Sequence, residues 1–218
     1  MYIPKLFEQH NETEIIQFIT NNNFAILINQ VDQRPWATHI PFSYSQSKEG
    51  KHQLTGHISK ANKQWESFEN EDEVLVIFSG PHAYISSSWY DHENVPTWNY
   101  TAVHVYGKIC LLNEDELYQE LAKLMDKQEA AVQKPKVLAQ MPQELVRKEM
   151  KGIIGFRIDI TEFQAVEKLS QNRDSKNHQA IITELEQSND TSSHAIAGLM
   201  KKIKNNAHPF RRNPHHTL

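Results

Sequence analysis

The first half of the chain is a succession of short apolar runs of strand length, separated by turns. The runs fall at residues 24–29, 36–44, 53–59, 71–78, 83–87 and 98–112. The first two are joined by Asp32-Gln33-Arg34-Pro35, whose residue types favour a turn, so they are predicted to form a hairpin. Consecutive strands with short links favour a barrel or a sandwich over a parallel sheet with crossover helices.

Helical patterns occur mainly in the second half of the chain. Asn113 and Glu116 have the spacing of a capping box at the start of one helix. An alternating stretch at residues 152–166 then predicts the last strand. The other predicted helices are a short one capped by Asn11 or Thr13, and those at residues 60–70, before Met150, at 178–187 and at 192–205. We therefore predict a mainly β protein with flanking helices, divided into a barrel domain at 1–170, a helical appendage at 171–206 and a tail at 207–218.

Charge and composition exclude several classes of protein. A net charge of −4 and a pI near 6.3 argue against a general polyanion binder. The single cysteine, Cys110, excludes an internal disulfide and is predicted to be a small buried side chain. No segment approaches the roughly 18–20 apolar residues of a membrane span, and the N-terminus lacks a signal-peptide core. We expect a cytoplasmic protein that does not enter a membrane.

Residues 74–107 join two strands through a connection that is rich in large rings. Trp89 and Trp98 lie in it, and Tyr100 follows at the start of the next strand. The connection is longer than the usual ~2–6 residues, and flat side chains suit a planar ligand. The alternative is that Trp98 and Tyr100 belong to the core, where aromatic residues of β proteins usually lie. His104 is predicted to be a hydrogen-bonded histidine of the barrel wall.

The segment GHISKANKQW, at residues 56–65, is a candidate phosphate site. A strand is predicted to end at Ser59, and Lys60 and Asn62 stand where a helix is predicted to begin. A helix N-terminus offers free N–H groups and a favourable dipole to an anion. His57 and Ser59 add polar side chains. The alternative is an ordinary capped surface helix with a solvated lysine.

A second polar segment, KLSQNR, follows the last predicted strand. Its donors could recognise ring carbonyls or a phosphate, and they come from Lys168, Gln171, Asn172 and Arg173. The alternative is a polar turn followed by a helix cap. We find no HExxH motif, no cysteine pair and no GxSxG elbow, so no metal ligand and no catalytic residue is assigned.

The C-terminal end differs in charge from the rest of the chain. From residue 191 onward there is no acidic side chain, and the basic ones are Lys201, Lys202, Lys204, Arg211 and Arg212. Such an end can contact nucleic-acid phosphates. The alternative is a solvated basic tail. The two last helices suggest a helix-turn-helix, although their link contains no glycine and no base-reading pattern is evident.

Together the segments GHISKAN, FSGPHAYISSSWY, VPTWNYTAVHVYG and KLSQNR resemble the PaiB-type FMN-binding proteins, a family described as negative transcriptional regulators of sporulation and protease production. The resemblance covers nearly the whole chain except the tail HPFRRNPHHTL. It implies an FMN-binding split β-barrel, similar to the pyridoxamine-phosphate-oxidase and flavin-reductase folds, that forms a homodimer with FMN at the subunit interface.

The resemblance also implies roles for three groups of residues. The FMN phosphate would be held by His57, Ser59, Lys60 and Asn62. The flavin ring would lie near Trp89, Trp98, Asn99 and Tyr100. Residues of the segment KLSQNR would reach the flavin from the same or the partner subunit; they are Lys168, Gln171, Asn172 and Arg173.

Two functions follow from the resemblance. In the first, FMN reports redox state or flavin supply to a repressor that contacts DNA through its basic C-terminal end. In the second, the protein is an FMN-dependent oxidoreductase that takes hydride from a nicotinamide cofactor. A further alternative is a dimeric β protein that has lost its cofactor.

Overall fold

A computed structural model describes residues 1–70 and 73–206. The predicted tail at 207–218, with Arg211 and Arg212, lies outside the described residues. The strands are β1 (Phe24–Val31), β2 (Arg34–Pro41), β3 (Ser43–Gln46), β4 (His52–Ser59), β5 (Val74–Ile85), β6 (Thr97–Leu111) and β7 (Ile153–Lys168). The α-helices are α1 (Glu12–Asn21), α2 (Glu114–Glu129), α3 (Gln143–Met150), α4 (Ser175–Gln187) and α5 (Thr191–Asn206).

The seven strands form one mainly antiparallel sheet in the order β2-β1-β5-β6-β7-β4-β3. The predicted hairpin is confirmed, because β1 and β2 pair without interruption from Phe24 opposite Pro41 to Val31 opposite Arg34. Its turn consists of Asp32 and Gln33, with φ angles of 51° and 61°. Two consecutive residues of positive φ match the right-handed twist of the strands they join.

Two predicted elements differ from the structure near the centre of the chain. The expected strands at 71–78 and 83–87 form the single strand β5, although Gly80 and Pro81 indicated a break. Instead of ending, β5 changes its buried face: Val76 and Phe78 are buried before this point, and Ala83 and Ile85 after it. The helix expected at residues 60–70 is a 3₁₀ helix, Lys63–Asn70. Its three-residue turn aligns Trp65 with the buried Phe68, and both pack against the core.

The chain divides into two compact units, each with its own core. The first contains Met1, His10–Ser79 and Ala102–Ala165, and the second contains Tyr2–Gln9, Gly80–Thr101 and the residues from Val166 onward. The core of the first unit includes Leu27, Phe42, Phe78, Phe156 and Ile158. The core of the second lies around α4 and α5 and includes Ile85, Leu169, Ile181, Ile196 and Met200. The boundaries predicted at residues 170 and 206 stay a prediction.

Two side chains of β6 depart from expectation. Cys110 is only partly buried, because the alternation of β6 turns Ile109 and not Cys110 inward. His104 was predicted to be hydrogen-bonded, but its buried Nδ1 has no partner among the described residues. Burial and the nearby positive N-terminus lower the pKa of His104. None of the described helices is long and apolar enough to cross a membrane.

The capping box of α2 is confirmed, and replacing Asn113 with alanine is expected to lower the free energy of unfolding by about 1 kcal/mol. The Asn113 side chain accepts a hydrogen bond of 3.0 Å from the Glu116 N–H, and the Glu116 carboxylate accepts one of 2.9 Å from the Asn113 N–H. Urea unfolding measures the loss. Asn113→Asp, which keeps the capping oxygen, should unfold like the natural protein, and equal stability of the alanine variant would refute the capping role.

Candidate functional site

The turn that follows β4 holds the predicted phosphate residues of the first unit, but its backbone donors are occupied. The N–H of Lys60 donates to the Gly152 carbonyl at 2.8 Å. The N–H of Ala61 donates to Ser59 Oγ at 3.3 Å, and that of Asn62 to the Ser59 carbonyl at 2.9 Å. The open helix N-terminus expected from the sequence is therefore wrong. An anion at this turn must be held by side chains, and those of Ser59 and Lys60 are exposed.

Asn62 is part of the framework that shapes this turn. Its Oδ1 accepts from the Gln64 N–H at 3.1 Å, which caps the 3₁₀ helix, and its Nδ2 donates to Thr38 Oγ1 at 2.9 Å. Gln64 is fully buried and donates to Asn29 Oδ1 at 2.9 Å. These bonds connect Asn62 to β2 directly and to β1 through Gln64. Its side chain therefore positions the turn, and its polar atoms are already used within the fold.

His57 lies two residues before Ser59 on β4 and is partly buried. Burial lowers the pKa of its imidazole, because the charged form loses its hydration. At neutral pH the ring is therefore uncharged and offers an anion one N–H group, without a positive charge.

The pKa shift of His57 predicts a pH dependence of stability. Its folded pKa lies below the ordinary value of 6.5, so the unfolded chain takes up a proton first. This contribution to stability is complete above pH 6.5 and is lost as pH falls through the folded pKa. Urea unfolding at about pH 8 and about pH 5 brackets histidine titration. His57→Gln should lose less stability on acidification than the natural protein; an unchanged difference would show that His57 contributes nothing to it.

Lys60 also lines a cleft of about 240 Å³ that brings several basic side chains together. Arg147 of α3 and Lys151 line the same cleft, and Glu114 is the acidic residue among its walls. The rest of the lining is mainly apolar, from Leu111, Leu112, Leu117, Met150, Ile153 and Ile154. The excess of positive charge suits an anion. Sequence reasoning missed Arg147 and Lys151, although the basic run at residues 147–151 was a usable signal.

In the second unit, three rings form an exposed aromatic cluster on β5 and β6. The side chains of Trp98 and Tyr84 are 52% and 48% exposed, and their ring centroids lie 5.8 Å apart, edge to face. The His82 ring lies 5.9 Å from that of Trp98. The core alternative is therefore wrong for Trp98. His82 and Tyr84 were not among the predicted site residues, because their partner strand could not be known from the sequence.

The other predicted ring residues occupy different surroundings. Trp89 packs against the core of the second unit, and Tyr100 is partly buried. Asn99 is fully buried, and its Oδ1 accepts from Ser170 Oγ at 3.1 Å while its Nδ2 contacts the sulfur of Met200 at 3.5 Å. Asn99 thus joins β6 to the late segment and to α5.

The late segment forms a tight turn between β7 and α4. Gln171 closes it, because its Oε1 accepts from the Leu169 N–H at 2.8 Å and its Nε2 donates to the Glu167 carbonyl. Ser170 has a φ of 60°, a conformation that is strained for a residue with a side chain. Gln171 is therefore a turn-forming residue, and Asn172 is exposed at the tip of the turn.

Two cations remain in this segment, and both contact other residues of the second unit. Lys168 Nζ donates to Thr97 Oγ1 at 2.5 Å and to the Trp98 carbonyl at 2.7 Å. The Arg173 guanidinium lies over the Tyr90 ring, 4.8 Å from its centroid. The structure thus brings together Lys168, Trp98 and Asn99 in the second unit, and separately Ser59, Lys60 and Asn62 in the first.

Comparison with known proteins decides the family. The sequence profile of the family described as "Putative FMN-binding domain" matches residues 1–162. A protein of Bacillus subtilis, "Protease synthase and sporulation protein PAI 2", is 42% identical over 205 residues, which cover 94% of this chain and 99% of that protein. The chain belongs to this FMN-binding family. The PaiB-type resemblance is confirmed, and FMN is the cofactor of the family.

Solved structures place the family member in a known fold. The FAD- and heme-binding protein of Mycobacterium smegmatis matches with a TM-score of 0.57 and 14% identity, over 79% of this chain and 78% of that one. The flavocytochrome Anf3 of Azotobacter vinelandii matches with a TM-score of 0.56 and 12% identity, over 82% and 78%. The predicted split β-barrel fold of the pyridoxamine-phosphate-oxidase type is confirmed. At such low identity the likeness is one of fold.

Proposed function

We propose that this FMN-binding family member is a cytoplasmic transcriptional regulator that represses sporulation and protease genes. The observation that carries the proposal is the 42% identity, over nearly the full length of both chains, with a protein named for protease synthase and sporulation. FMN would report redox state or flavin supply to the regulator. Bound FMN supplies a ring system that accepts and donates electrons.

Two separate groups of residues, one in each unit, have the chemistry that suits one part of FMN. The exposed rings of Trp98, Tyr84 and His82 offer a flat apolar surface to the flavin ring. The basic cleft with Lys60, Arg147 and Lys151 offers positive charge to a phosphate. Each group lies within one unit, so each can be tested by itself.

Cofactor binding is tested by the visible absorption spectrum of the purified protein and by titration of the apoprotein with FMN. We expect the bands of oxidised flavin, or binding of FMN at micromolar concentration. Absence of both would contradict FMN binding and favour a protein that has lost its cofactor. Rapid anaerobic bleaching by NADH or NADPH would instead support the oxidoreductase alternative.

Direct repression requires binding to DNA, which we assign to the basic C-terminal end. Lys202 is exposed on α5, whereas Lys201 pairs with Glu186 of α4. A gel-shift titration over promoter fragments of sporulation and protease genes tests this assignment. Binding to a promoter should be tighter than to random DNA at the same salt concentration. Equal affinity for the two would exclude direct repression.

We further propose that the protein is a homodimer that binds FMN at the interface between its two copies. The exposed aromatic cluster supports this, because large exposed rings are commonly covered by a ligand or a partner. Analytical ultracentrifugation of the FMN-loaded protein should give twice the chain mass. A monomer at micromolar concentration would contradict the dimer without bearing on the cofactor.

A further inference from the structure

Lys168 and Arg173 are partly buried cations of the second unit, and neither has an acidic partner among the described residues, whereas two exposed lysines of that unit do. Lys176 pairs with Asp91 at 2.8 Å, and Lys201 pairs with Glu186. The Lys168 amine is instead held by two neutral oxygens, those of Thr97 and Trp98. Among residues 1–70 and 73–206, no carboxylate forms an ion pair with Lys168 or Arg173.

The two cations stand at the two ends of one short turn, Lys168 at the end of β7 and Arg173 just before the cap of α4. Burial, and then the positive charge of Arg173, lower the pKa of the Lys168 amine. Both side chains are partly buried, so water screens them incompletely. Holding two like charges in this way costs free energy, and an anion placed between or beside them would recover it.

The turn between the two cations is held in a fixed shape. Ser170 keeps its strained φ of 60° while its Oγ donates to the buried Asn99, and the Gln171 side chain bonds to the backbone of Glu167 and Leu169 at the β7 end of the turn. The Arg173 N–H closes the turn on the Ser170 carbonyl at 3.0 Å. A strained turn that fixes two unpaired cations is the arrangement expected where a ligand is bound.

We propose that Lys168 and Arg173 together bind an oxyanion, either a phosphate monoester or a carboxylate. Two molecules could supply it: FMN itself, through its phosphate, or a second ligand that binds beside the flavin. The first source rests on the proposed FMN binding, whereas the anion site itself does not. Arg173 contributes a planar fork of donors and Lys168 a point charge, a combination that suits phosphate and carboxylate oxygens.

The site is tested first with inorganic phosphate. Because the basic cleft of the first unit is another place for this anion, the titrations are made in protein that carries Lys60→Ala. Thermal unfolding should shift upward with phosphate concentration, since a ligand that binds the folded state stabilises it. Adding Arg173→Gln or Lys168→Gln should weaken phosphate binding about tenfold or more, the effect of losing one hydrogen bond to a charged group.

Lys5→Gln serves as the matched control, because it removes one exposed positive charge of the same unit and lies outside the basic C-terminal end. It should keep the phosphate response. If Lys168→Gln does not fold, Arg173→Gln decides alone, since the Arg173 guanidinium contacts a ring and not a structural hydrogen-bond partner. Phosphate binding that is the same in Arg173→Gln and in Lys5→Gln would overturn the proposal.

A second pair of titrations identifies the source of the oxyanion. If it is the FMN phosphate, Arg173→Gln weakens FMN about tenfold or more and leaves riboflavin, which lacks the phosphate, unchanged. If it is a second ligand, both flavins bind Arg173→Gln normally, and the FMN-loaded natural protein still binds inorganic phosphate. Failure of the protein to bind any flavin would refute the proposed cofactor function but would leave the phosphate titration to decide this site.

Discussion

Replacing Gly107 with alanine is expected to destabilise the folded protein by about 3 kcal/mol, the upper end of the cost of overpacking a core. Gly107 lies on β6, in the first unit, against residues of β7. A Cβ at this position would stand 2.6 Å from the carbonyl oxygen of Asp159 and 2.6 Å from Cγ2 of Ile158. The first of these atoms belongs to the backbone of a paired strand, so it cannot turn aside as a flexible side chain would. Urea unfolding measures the loss.

Gly198 provides a matched control for the same chemical change. It lies in the middle of α5, and nothing approaches within 4 Å of the place where its Cβ would stand. Gly198→Ala is therefore expected to stabilise the protein by up to about 1 kcal/mol, the helix preference of alanine over glycine. Equal stability of the two variants would show that β6 and β7 do not approach each other as closely at Gly107 as the structure has them.

The close packing at Gly107 shows that the segment VPTWNYTAVHVYG combines residues with different roles. Its last residue is required for strand packing, its Trp98 is exposed, and its Asn99 is enclosed. A motif shared by the family thus contains both residues that pack within the fold and residues that are exposed on its surface. The sequence identified the motif, but it could not separate the residues that pack from those that face a ligand.

Local features could be predicted from the sequence because they depend on neighbours along the chain. The β1–β2 hairpin follows from turn residues between apolar runs, and the start of α2 follows from the spacing of Asn113 and Glu116. The continuous strand β5 was missed for the opposite reason. It lies between β1, from a distant part of the sequence, and β6, and in this sheet the strand continues through Gly80 and Pro81 despite their local preference for a turn.

The candidate site could be predicted only in part, because a polar side chain looks the same in sequence whether it is satisfied or free. Asn62 and Gln171 were expected to bind a ligand, but their hydrogen bonds are made largely within the fold. Arg147 and Lys151 were not expected at all, since only the fold brings α3 beside Lys60. Among the residues predicted to bind the phosphate, Lys60 has a side chain that is both charged and exposed.

Replacing Lys60 with alanine is accordingly expected to weaken FMN binding by about 1.5–3 kcal/mol, the scale of a hydrogen bond to a charged group. This corresponds to a loss of affinity of about 10- to 150-fold. The backbone donors of the turn are already occupied, so they could not compensate for the lost ammonium. Fluorescence titration of the apoprotein with FMN measures the effect, and riboflavin, which lacks the phosphate, should bind the variant as it binds the natural protein.

Lys148→Ala is the control for a general loss of positive charge. Lys148 is exposed on α3 beside Arg147, but it does not line the cleft, so its removal should leave FMN affinity nearly unchanged. Folding of the Lys60 variant is checked by its thermal unfolding, which should match that of the natural protein because the side chain is exposed. A folded Lys60→Ala variant with natural affinity for FMN would remove Lys60 from the phosphate site. If Arg173→Gln then weakened the binding of FMN but not that of riboflavin, the FMN phosphate would be bound at the turn between β7 and α4.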